Sequence, residues 1–305
     1  MIKKLILISG PTASGKSKLA VKLAKKIKGE IINADSMQIY KELSILTSRP
    51  SKKNQREINH HLYGFLSAKK YFSVGQWLEL VKKKIQQINN RKKIPIVVGG
   101  TGLYFNAITK GISKIPKINE KSRKRIRKYH KKIGQEKFYQ ELLNIDPKSK
   151  NKILSTDTQR TLRAYEVKFC TNKSIFEWAE NTKSDFLNYD IKKILIEVPR
   201  INLLINISKR TKAMLNKKCI QQVKSFLKLK IEKSLSANKI IGLSEVASFI
   251  FKKQKLDQVE EDINIRTRQY AKRQMTWSRG HMANWIKIYS KDSTDIYKKV
   301  LKAIS

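Results

Sequence analysis

Hydrophobic and polar positions in the first hundred residues form alternating blocks that predict strands and helices in turn. Leu5–Ile8 is an apolar run of strand length, and the apolar residues within 18–28 recur at helical spacing. Further patterns predict a strand over Glu30–Asn33, a helix over Val74–Asn90 and a strand over Ile94–Val98. This alternation is typical of a parallel sheet with helices on both faces, in which ligands bind at the carboxyl ends of the strands.

The pattern changes near Ile115. Residues 115–187 are charged and helical in spacing and show no strand pattern. We therefore predict an α/β core with a parallel sheet, interrupted by a helical insertion: 1–114 and 191–305 form the core, and 115–190 form the insertion. The remaining predicted elements are helices over Lys121–Lys132 and Thr158–Cys170, a strand over Ile194–Val198, a long helix after Pro199 to about Lys230, helices near 242–254 and 257–280, a strand over Trp285–Tyr289 and a closing helix over 293–304.

Directly after the first predicted strand, residues 10–17 read GPTASGKS, with the spacing G-x-x-x-x-G-K-S of a phosphate-binding loop. The glycines let backbone N–H groups turn inward around phosphate oxygens, Lys16 adds a point charge, and the Ser17 hydroxyl can ligate Mg²⁺. The loop opens a predicted helix whose positive end would face the ligand. We expect a bound di- or triphosphate, and the loop identifies the predicted α/β core as one of the P-loop NTPase type. The predicted phosphate-binding residues are Gly10, Pro11, Thr12, Ala13, Ser14, Gly15, Lys16 and Ser17.

Two further segments place polar groups at the ends of strands. Asp35 follows the second predicted strand, where a carboxylate can hold Mg²⁺ through water or accept a proton; a carboxylate that only caps the following turn is the less favoured alternative. Gly99–Gly102 follows the third strand, where its glycines allow close approach of a ligand and Thr101 offers a hydroxyl; a tight turn explains it equally well. No later strand ends in a clear second acid, which argues against a motor ATPase.

Arginine-bearing helices occupy the later part of the chain. Gln159, Arg160 and Arg163 lie on one predicted helix, where they can contact RNA or form a salt-bridged surface with Glu166. Residues 266–279 form a basic helix with interleaved aromatic residues, and RNA contact and helix packing both remain open for it.

Charge and cysteine content narrow the possible partners. The chain has 67 Lys and Arg residues against 24 Asp and Glu, a net charge of +43, which favours a nucleic-acid partner or reflects a lysine-rich composition. Cys170 and Cys219 are too few for a disulfide framework, and His60–His61 lacks partners at zinc-ligand spacing. No apolar run is long enough to cross a bilayer. We expect a cytoplasmic protein without a membrane partner.

Taken together, these segments resemble the tRNA dimethylallyltransferases, and the resemblance runs nearly from end to end. The phosphate-binding loop alone is unspecific, whereas its combination with the last of these segments is highly specific. The matching segments are GPTASGKS at 10–17, the DS-x-x-IYK block at 35–41, HHL at 60–62, IPIVVGGTGLYF at 94–105, the QR-x-x-RA-x-EV helix at 159–167 and RTRQYAKRQMTWSRG at 266–280.

The resemblance implies transfer of a dimethylallyl group from dimethylallyl diphosphate to N6 of the adenosine 3′ of the anticodon, with Mg²⁺ as cofactor. Asp35 would accept the amine proton, Thr101 would lie near the reacting groups, and Lys16 and Arg210 would meet the diphosphate. The helical insertion would hold the anticodon stem-loop. The residues implied to contact tRNA are Asp35, Ser36, Met37, Gln38, Thr101, Arg123, Gln159, Arg160, Thr161, Leu162, Arg163, Lys239, Ile240, Ile241, Gly242, Leu243 and Ser244.

Several positions depart from the family pattern. Leu46 stands where the family has glycine, Arg49 replaces lysine, Gly64 replaces aspartate, Asn206 replaces arginine and Leu243 replaces tyrosine. None of these changes removes an implied catalytic group. The cysteine count excludes the zinc-finger tail of eukaryotic relatives, so the chain resembles the compact bacterial form, and we expect a monomer.

Two other functions are compatible with parts of the same sequence. A small-molecule kinase would use the phosphate-binding loop with ATP and would use Asp35 to position an acceptor hydroxyl, but it leaves the arginine-bearing helices without a role. An RNA-binding NTPase switch accounts for the charge, but it requires a second metal-binding acid that the strand ends do not supply.

Overall fold

The computed structural model describes residues 3–289 and 293–304. By its internal contacts the chain divides into two compact units. The first unit contains the chain up to Ile108 and again from Asn188, and the second unit is Thr109–Leu187.

The first unit is built on a six-stranded, entirely parallel sheet with the strand order β3-β2-β4-β1-β5-β6. This confirms the predicted fold class. β1 lies between β4 and β5, so the loop that follows it emerges at the middle of the carboxyl edge of the sheet. The strands are β1 (Lys3–Ser9), β2 (Gly29–Asn33), β3 (His60–His61), β4 (Ile94–Gly99), β5 (Tyr189–Glu197) and β6 (Ile286–Tyr289).

Helices account for most of the remaining chain. Within residues 3–289 and 293–304, no helix combines the length and apolar character that crossing a membrane requires. In chain order the α-helices of the described residues are α1 (Lys16–Lys26), α2 (Lys52–Glu57), α3 (Val74–Asn90), α4 (Gly102–Lys110), α5 (Glu120–Ile133), α6 (Gln135–Ile145), α7 (Thr158–Thr171), α8 (Ile175–Glu180), α9 (Arg200–Met214), α10 (Lys217–Lys228), α11 (Leu243–Ile250), α12 (Leu256–His281) and α13 (Ser293–Ile304).

The core beneath the phosphate-binding loop explains why β1 and α1 form where the pattern places them. Leu5–Ile8 is buried on both sides of the sheet, as expected for a central strand of a parallel sheet. The apolar face of α1, including Leu19 and Leu23, packs on β1, β2 and β4. Burial of each leucine side chain contributes about 1.5–3 kcal/mol, so the helix that carries Lys16 and Ser17 is firmly seated.

One predicted element is wrong. The pattern after Pro199 predicts a single helix to about Lys230, whereas the structure contains α9 and α10 with a break at Leu215–Asn216. The Asn216 side chain accepts a hydrogen bond from the Cys219 backbone N–H at 3.0 Å and so caps the start of α10. Asparagine favours such a position over a helix interior because its side chain competes for backbone hydrogen bonds.

The second unit contains no strand in Thr109–Leu187, all of which the structure describes. Helices α5, α6 and α7 enclose its core, which is centred on Phe138, Leu142 and Tyr165. Asp146 joins this core to the start of α8 because its carboxylate accepts hydrogen bonds from the Ser149 and Ser174 hydroxyls, at 3.1 and 2.8 Å.

Candidate active site

Two cavities of the first unit meet at the carboxyl edge of the sheet. The phosphate-loop cavity, of about 500 Å³, is lined by residues 12–18 and by residues of the surrounding strands and helices. The α9–α12 cavity, of about 520 Å³, is lined mainly by residues of those two helices and by residues 238–241. Thr12, Asp35 and Arg210 line both cavities. A ligand in one cavity can therefore meet a ligand in the other at these three residues.

The phosphate-binding loop has the features that an anion requires. Gly15 adopts a left-handed conformation, with φ of 81°, at the start of α1. The Ser14 hydroxyl is buried and has no hydrogen-bond partner among the described residues. The Lys16 ammonium donates to the Pro11 carbonyl at 2.8 Å. A phosphate would supply an acceptor for Ser14 and a stronger partner for Lys16.

Two cations face one carboxylate where the cavities meet. Burial lowers the pKa of Lys16 to about 8, the negative charge of Asp35 opposes this shift, and the positive charge of Arg210 adds to it. Burial also lowers the pKa of Arg210, and Asp35 again acts in the opposite direction. Arg210 donates to the Thr12 hydroxyl, so it is joined to the phosphate-binding loop. The pair of cations exceeds the charge of Asp35 and favours an anionic ligand.

Asp35 is held by the end of β2. The buried Asn33 side chain accepts from the Asp35 backbone N–H at 2.8 Å and donates to the Leu62 carbonyl at 3.0 Å. One carboxylate oxygen, Oδ1, accepts from the Met37 backbone N–H at 2.9 Å. Asp35 thus forms a local turn and also lines both cavities. The two interpretations left open by the sequence are therefore compatible.

Thr101 fixes the backbone beside Asp35. Its hydroxyl accepts from the Ser36 backbone N–H at 2.9 Å, and its own N–H donates to the Ala34 carbonyl at 3.1 Å. The Tyr270 hydroxyl also hydrogen-bonds to Thr101, and burial together with the charge of Asp35 raises the pKa of Tyr270. Thr101 is therefore adjacent to Asp35, within the wall of a smaller cavity of about 180 Å³.

The glycines of residues 99–102 make room for protein groups. A Cβ at Gly99 would lie 2.1 Å from the Ala34 carbonyl oxygen, and one at Gly102 would lie 2.2 Å from the Trp277 ring. Because no real Cβ atom tolerates such distances, glycine is required at both positions. These glycines bring the end of β2 and helix α12 against the loop that carries Thr101.

Helix α12 supplies site residues that the sequence interpretation missed. Tyr270, Gln274 and Trp277 occur at helical spacing on one face, and all three line the smaller cavity beside Thr101. The sequence left open whether this helix packs or binds RNA. In the structure its Ala271 packs against Leu203 and Ile207 of α9. The spacing of Tyr270, Gln274 and Trp277 was the available signal for the missed face.

The residues after Asp35 point in different directions. Met37 lines the α9–α12 cavity, whereas Gln38 lines the phosphate-loop cavity. The Gln38 side chain donates to the Thr47 carbonyl at 2.9 Å. The segment therefore contributes to both cavities.

Some of residues 239–244 line the α9–α12 cavity, and the others support it from behind. Lys239, Ile240 and Ile241 line the α9–α12 cavity. Leu243 is buried, and the Ser244 hydroxyl accepts from Arg266 at 2.8 Å. Gly242 has a φ of 93° and begins α11, and its N–H donates to the Glu245 carboxylate at 3.0 Å.

In the second unit, Arg123 and Arg163 face the buried carboxylate of Glu166. The shortest nitrogen–oxygen distances are 3.6 Å for Arg123 and 3.7 Å for Arg163, and Arg127 approaches the same carboxylate at 3.4 Å. This arrangement is the salt-bridged alternative that the sequence left open for this helix.

The other predicted RNA-contact positions of α7 differ in exposure. Gln159 and Arg160 are exposed, and Arg160 pairs with Asp157 at 2.7 Å. The Thr161 side chain is fully buried and donates to the Asp157 carbonyl at 2.8 Å, while Leu162 is partly buried against the core of the unit. The exposed positions are therefore Gln159 and Arg160.

Two departures from the family pattern are structurally coupled. Gly64 has a φ of 55°, and a Cβ there would lie 1.8 Å from the Arg49 guanidinium. Arg49 donates to the Tyr40 carbonyl at 2.9 Å through the space that Gly64 leaves. Asn206, a third departure, donates to the Ala13 carbonyl at 3.2 Å and so supports the phosphate-binding loop.

The site offers few groups for a resident metal ion. Within residues 3–289 and 293–304, no three His, Cys, Asp or Glu side chains form a metal-binding cluster, and His61 instead pairs with Glu30 at 2.7 Å. Ser17 and Asp35 line the phosphate-loop cavity. This donor set fits Mg²⁺ held largely by substrate phosphate oxygens and water, which is its usual mode of binding.

Known proteins resemble this chain over nearly its whole length. The model of the family described as IPP transferase matches residues 38–281. The tRNA dimethylallyltransferase of Pelagibacter ubique is 55% identical over 302 residues, covering 99% of this chain and 96% of that protein. The Rickettsia massiliae protein of the same name is 40% identical over 306 residues, covering 99% and 84%.

Solved structures extend the similarity to the fold. A tRNA isopentenylpyrophosphate transferase from Staphylococcus epidermidis is 29% identical, with a TM-score of 0.69 and coverage of 99% of this chain and 98% of that one. A eukaryotic dimethylallyltransferase described as acting on tRNA is 26% identical, with a TM-score of 0.82 and coverage of 96% and 75%.

Proposed function

Because this chain belongs to the IPP transferase family, we propose that it transfers a dimethylallyl group from dimethylallyl diphosphate to an adenosine of tRNA and releases diphosphate. The acceptor atom is N6 of the adenosine immediately 3′ of the anticodon, in tRNAs that read codons starting with U. One observation carries the proposal: the two cavities share Thr12, Asp35 and Arg210, so that a donor and an acceptor can meet there.

The phosphate-loop cavity suits a diphosphate leaving group. As the bond between the allylic carbon and the diphosphate oxygen breaks, negative charge grows on the diphosphate. Lys16, Arg210 and the backbone N–H groups of the loop are positioned to stabilise that charge, and Ser14 has a hydroxyl to donate. When bound, Mg²⁺ would be held by Ser17 and the diphosphate oxygens and would supply further positive charge.

The α9–α12 cavity suits the acceptor base. Its wall combines apolar side chains, including Met37 and Ile240, with the carboxylate of Asp35. Met37 already donates to Oδ1 of Asp35, which leaves Oδ2 to accept the N6 proton as the new carbon–nitrogen bond forms. To reach this cavity, the adenine must leave its stack, which costs least in a single-stranded loop.

The second unit provides a basic surface for the RNA backbone. Helix α5 reads EKSRKRIRKYHKKI, and its one buried residue is Ile126; Arg123 and Arg127 approach Glu166, and the lysines of the helix are exposed. Phosphate contacts of this kind position RNA without reading its sequence. We assign the exposed Gln159 and Arg160, together with Lys239 of the first unit, to contacts with the anticodon stem-loop. We expect a cytoplasmic monomer.

A single assay separates prenyl transfer from ATP-dependent chemistry. The protein is incubated with unmodified tRNA and labelled dimethylallyl diphosphate, and in a parallel reaction with ATP. Label is expected in tRNA, at the adenosine 3′ of the anticodon. Turnover of ATP without transfer of label to tRNA would refute the proposal and favour a kinase or an NTPase.

A further inference from the structure

The Gln274 side chain of α12 bridges the two loops that form the active site. Its Oε1 accepts a hydrogen bond from the Thr12 backbone N–H at 2.8 Å. Its Nε2 donates to the Gly100 carbonyl at 2.9 Å. One amide group thus joins the phosphate-binding loop to the loop that carries Thr101.

Each end of this bridge is connected, through one or two further hydrogen bonds or neighbouring residues, to a side chain that would act in the transfer reaction. At one end, the Thr12 hydroxyl accepts from Arg210, and Thr12 lines both cavities. At the other end, Gly100 directly precedes Thr101, whose hydroxyl holds the Ser36 N–H next to Asp35. The distance between the leaving-group site and Asp35 is therefore set in part by the length of one side chain.

The local sequence is adapted to this contact. A Cβ at Gly100 would lie 2.1 Å from Gln274 Nε2, so the approach of the amide requires glycine there. The two partners also require an acceptor and a donor on the same planar group. Among side chains, only an amide provides both groups permanently at neutral pH with this reach, because glutamate is acceptor-only when ionised.

We propose that Gln274 is a positioning residue for the transfer reaction, holding the phosphate-binding loop and the Thr101 loop at the separation that aligns the donor carbon with the acceptor nitrogen. The proposal rests on the proposed prenyl transfer. It assigns to the basic helix a role in alignment that is separate from any contact with RNA. Gln274 acts through the two loops, so its loss should lower kcat and leave the affinity for tRNA nearly unchanged.

The test compares Gln274→Met, Gln274→Glu and a matched control, Gln258→Met, which alters an exposed glutamine on the same helix away from both cavities. Methionine keeps the length of the side chain but removes the hydrogen bonds to Thr12 and Gly100 and the contact with the Tyr270 hydroxyl. Because misalignment of about 1 Å can cost about 100-fold in rate, we expect kcat to fall between about 10- and 100-fold in Gln274→Met. The KM of Gln274→Met for tRNA should match that of the wild type. The melting temperature of the control Gln258→Met should also match that of the wild type.

The Gln274→Glu variant distinguishes alignment from general damage to the fold. An ionised glutamate at this position would accept from the Thr12 N–H and the Tyr270 hydroxyl but repel the Gly100 carbonyl, whereas the protonated acid would donate to that carbonyl. The kcat of Gln274→Glu relative to wild type should therefore rise by at least about threefold as the pH falls from 8 to 5.5. The same ratio for Gln274→Met should stay flat.

Three results would contradict these expectations. A kcat of Gln274→Met within twofold of the wild type would overturn this inference but not the proposed function. The same holds for a kcat of Gln274→Glu, relative to wild type, that does not change with pH. Absence of labelled tRNA with the wild-type protein would overturn the proposed function, and this inference with it.

Discussion

Replacement of Asp35 by asparagine is the most direct test of the chemistry, because it changes the charge and keeps the shape. The asparagine oxygen can still accept the Met37 N–H that now binds Oδ1 at 2.9 Å, so the local turn should persist. The variant loses the proton acceptor for the N6 amine. General-base catalysis contributes about 10²–10⁴-fold, and we expect Asp35→Asn to lower kcat by that factor.

The substitution also changes the electrostatics of the neighbouring lysine. The negative charge of Asp35 raises the pKa of Lys16, opposing the effect of burial. Without that charge the pKa of Lys16 falls below its present value of about 8. The residual activity of Asp35→Asn should therefore decline at a lower pH on the alkaline side than that of the wild type.

The assay is single-turnover transfer of labelled dimethylallyl groups to saturating tRNA over a range of pH, with tRNA affinity measured separately. Asp35→Ala serves as the comparison, because it removes the base and also the acceptor of the Met37 N–H. It should match Asp35→Asn in rate and be less stable by about 0.5–1.5 kcal/mol, the net contribution of one hydrogen bond. A rate for Asp35→Asn within tenfold of the wild type would refute the assignment of Asp35 as the base.

Three other predictions concern charge. First, kcat/KM for dimethylallyl diphosphate should fall as the pH rises through about 8, where free Lys16 loses its proton; an unchanged alkaline limb in Lys16→Arg, whose guanidinium stays charged, would contradict this. Second, Arg160→Ala should weaken tRNA binding and reduce the slope of log K against log salt by about one if its partner is a phosphate, and an unaltered slope excludes that contact. Third, burial raises the pKa of Glu30, but hydrogen bonds from Arg91, His61 and Lys93 together outweigh it and lower that pKa to about 2 from an ordinary value of 4.5. This stabilisation is present above pH 4.5 and is lost as the pH falls toward 2, so urea unfolding of Glu30→Gln should show a flatter pH dependence over that range than the wild type does.

The sequence predicted correctly those elements whose structure depends only on neighbouring residues. The spacing of apolar residues predicted α3 with the observed bounds, and the GPTASGKS pattern predicted the loop and the helix that follows it. Both depend on local periodicity or on a single motif, so no distant contact was needed to identify them.

The sequence was uninformative wherever the structure depends on distant partners. β3 has two residues, too few to show a pattern, and it forms because His60 and His61 pair with β2. The role of Gln274 could not be predicted for the same reason, since its partners Thr12 and Gly100 are 262 and 174 positions away in the chain. The break before α10 was missed because one capping asparagine interrupts an otherwise continuous helical pattern.

The bridge through Gln274 also bears on how the protein is made. Thr12 and Gln274 are 262 positions apart, and β1 pairs with β5, which begins only at Tyr189. During synthesis the phosphate-binding loop therefore leaves the ribosome long before the strand and helix that support it. Contacts of such long range pay the entropy of loop closure before they yield stability, and they slow folding. A nascent chain that ends before α12 would hold the complete phosphate-binding motif and lack the contact that orients it.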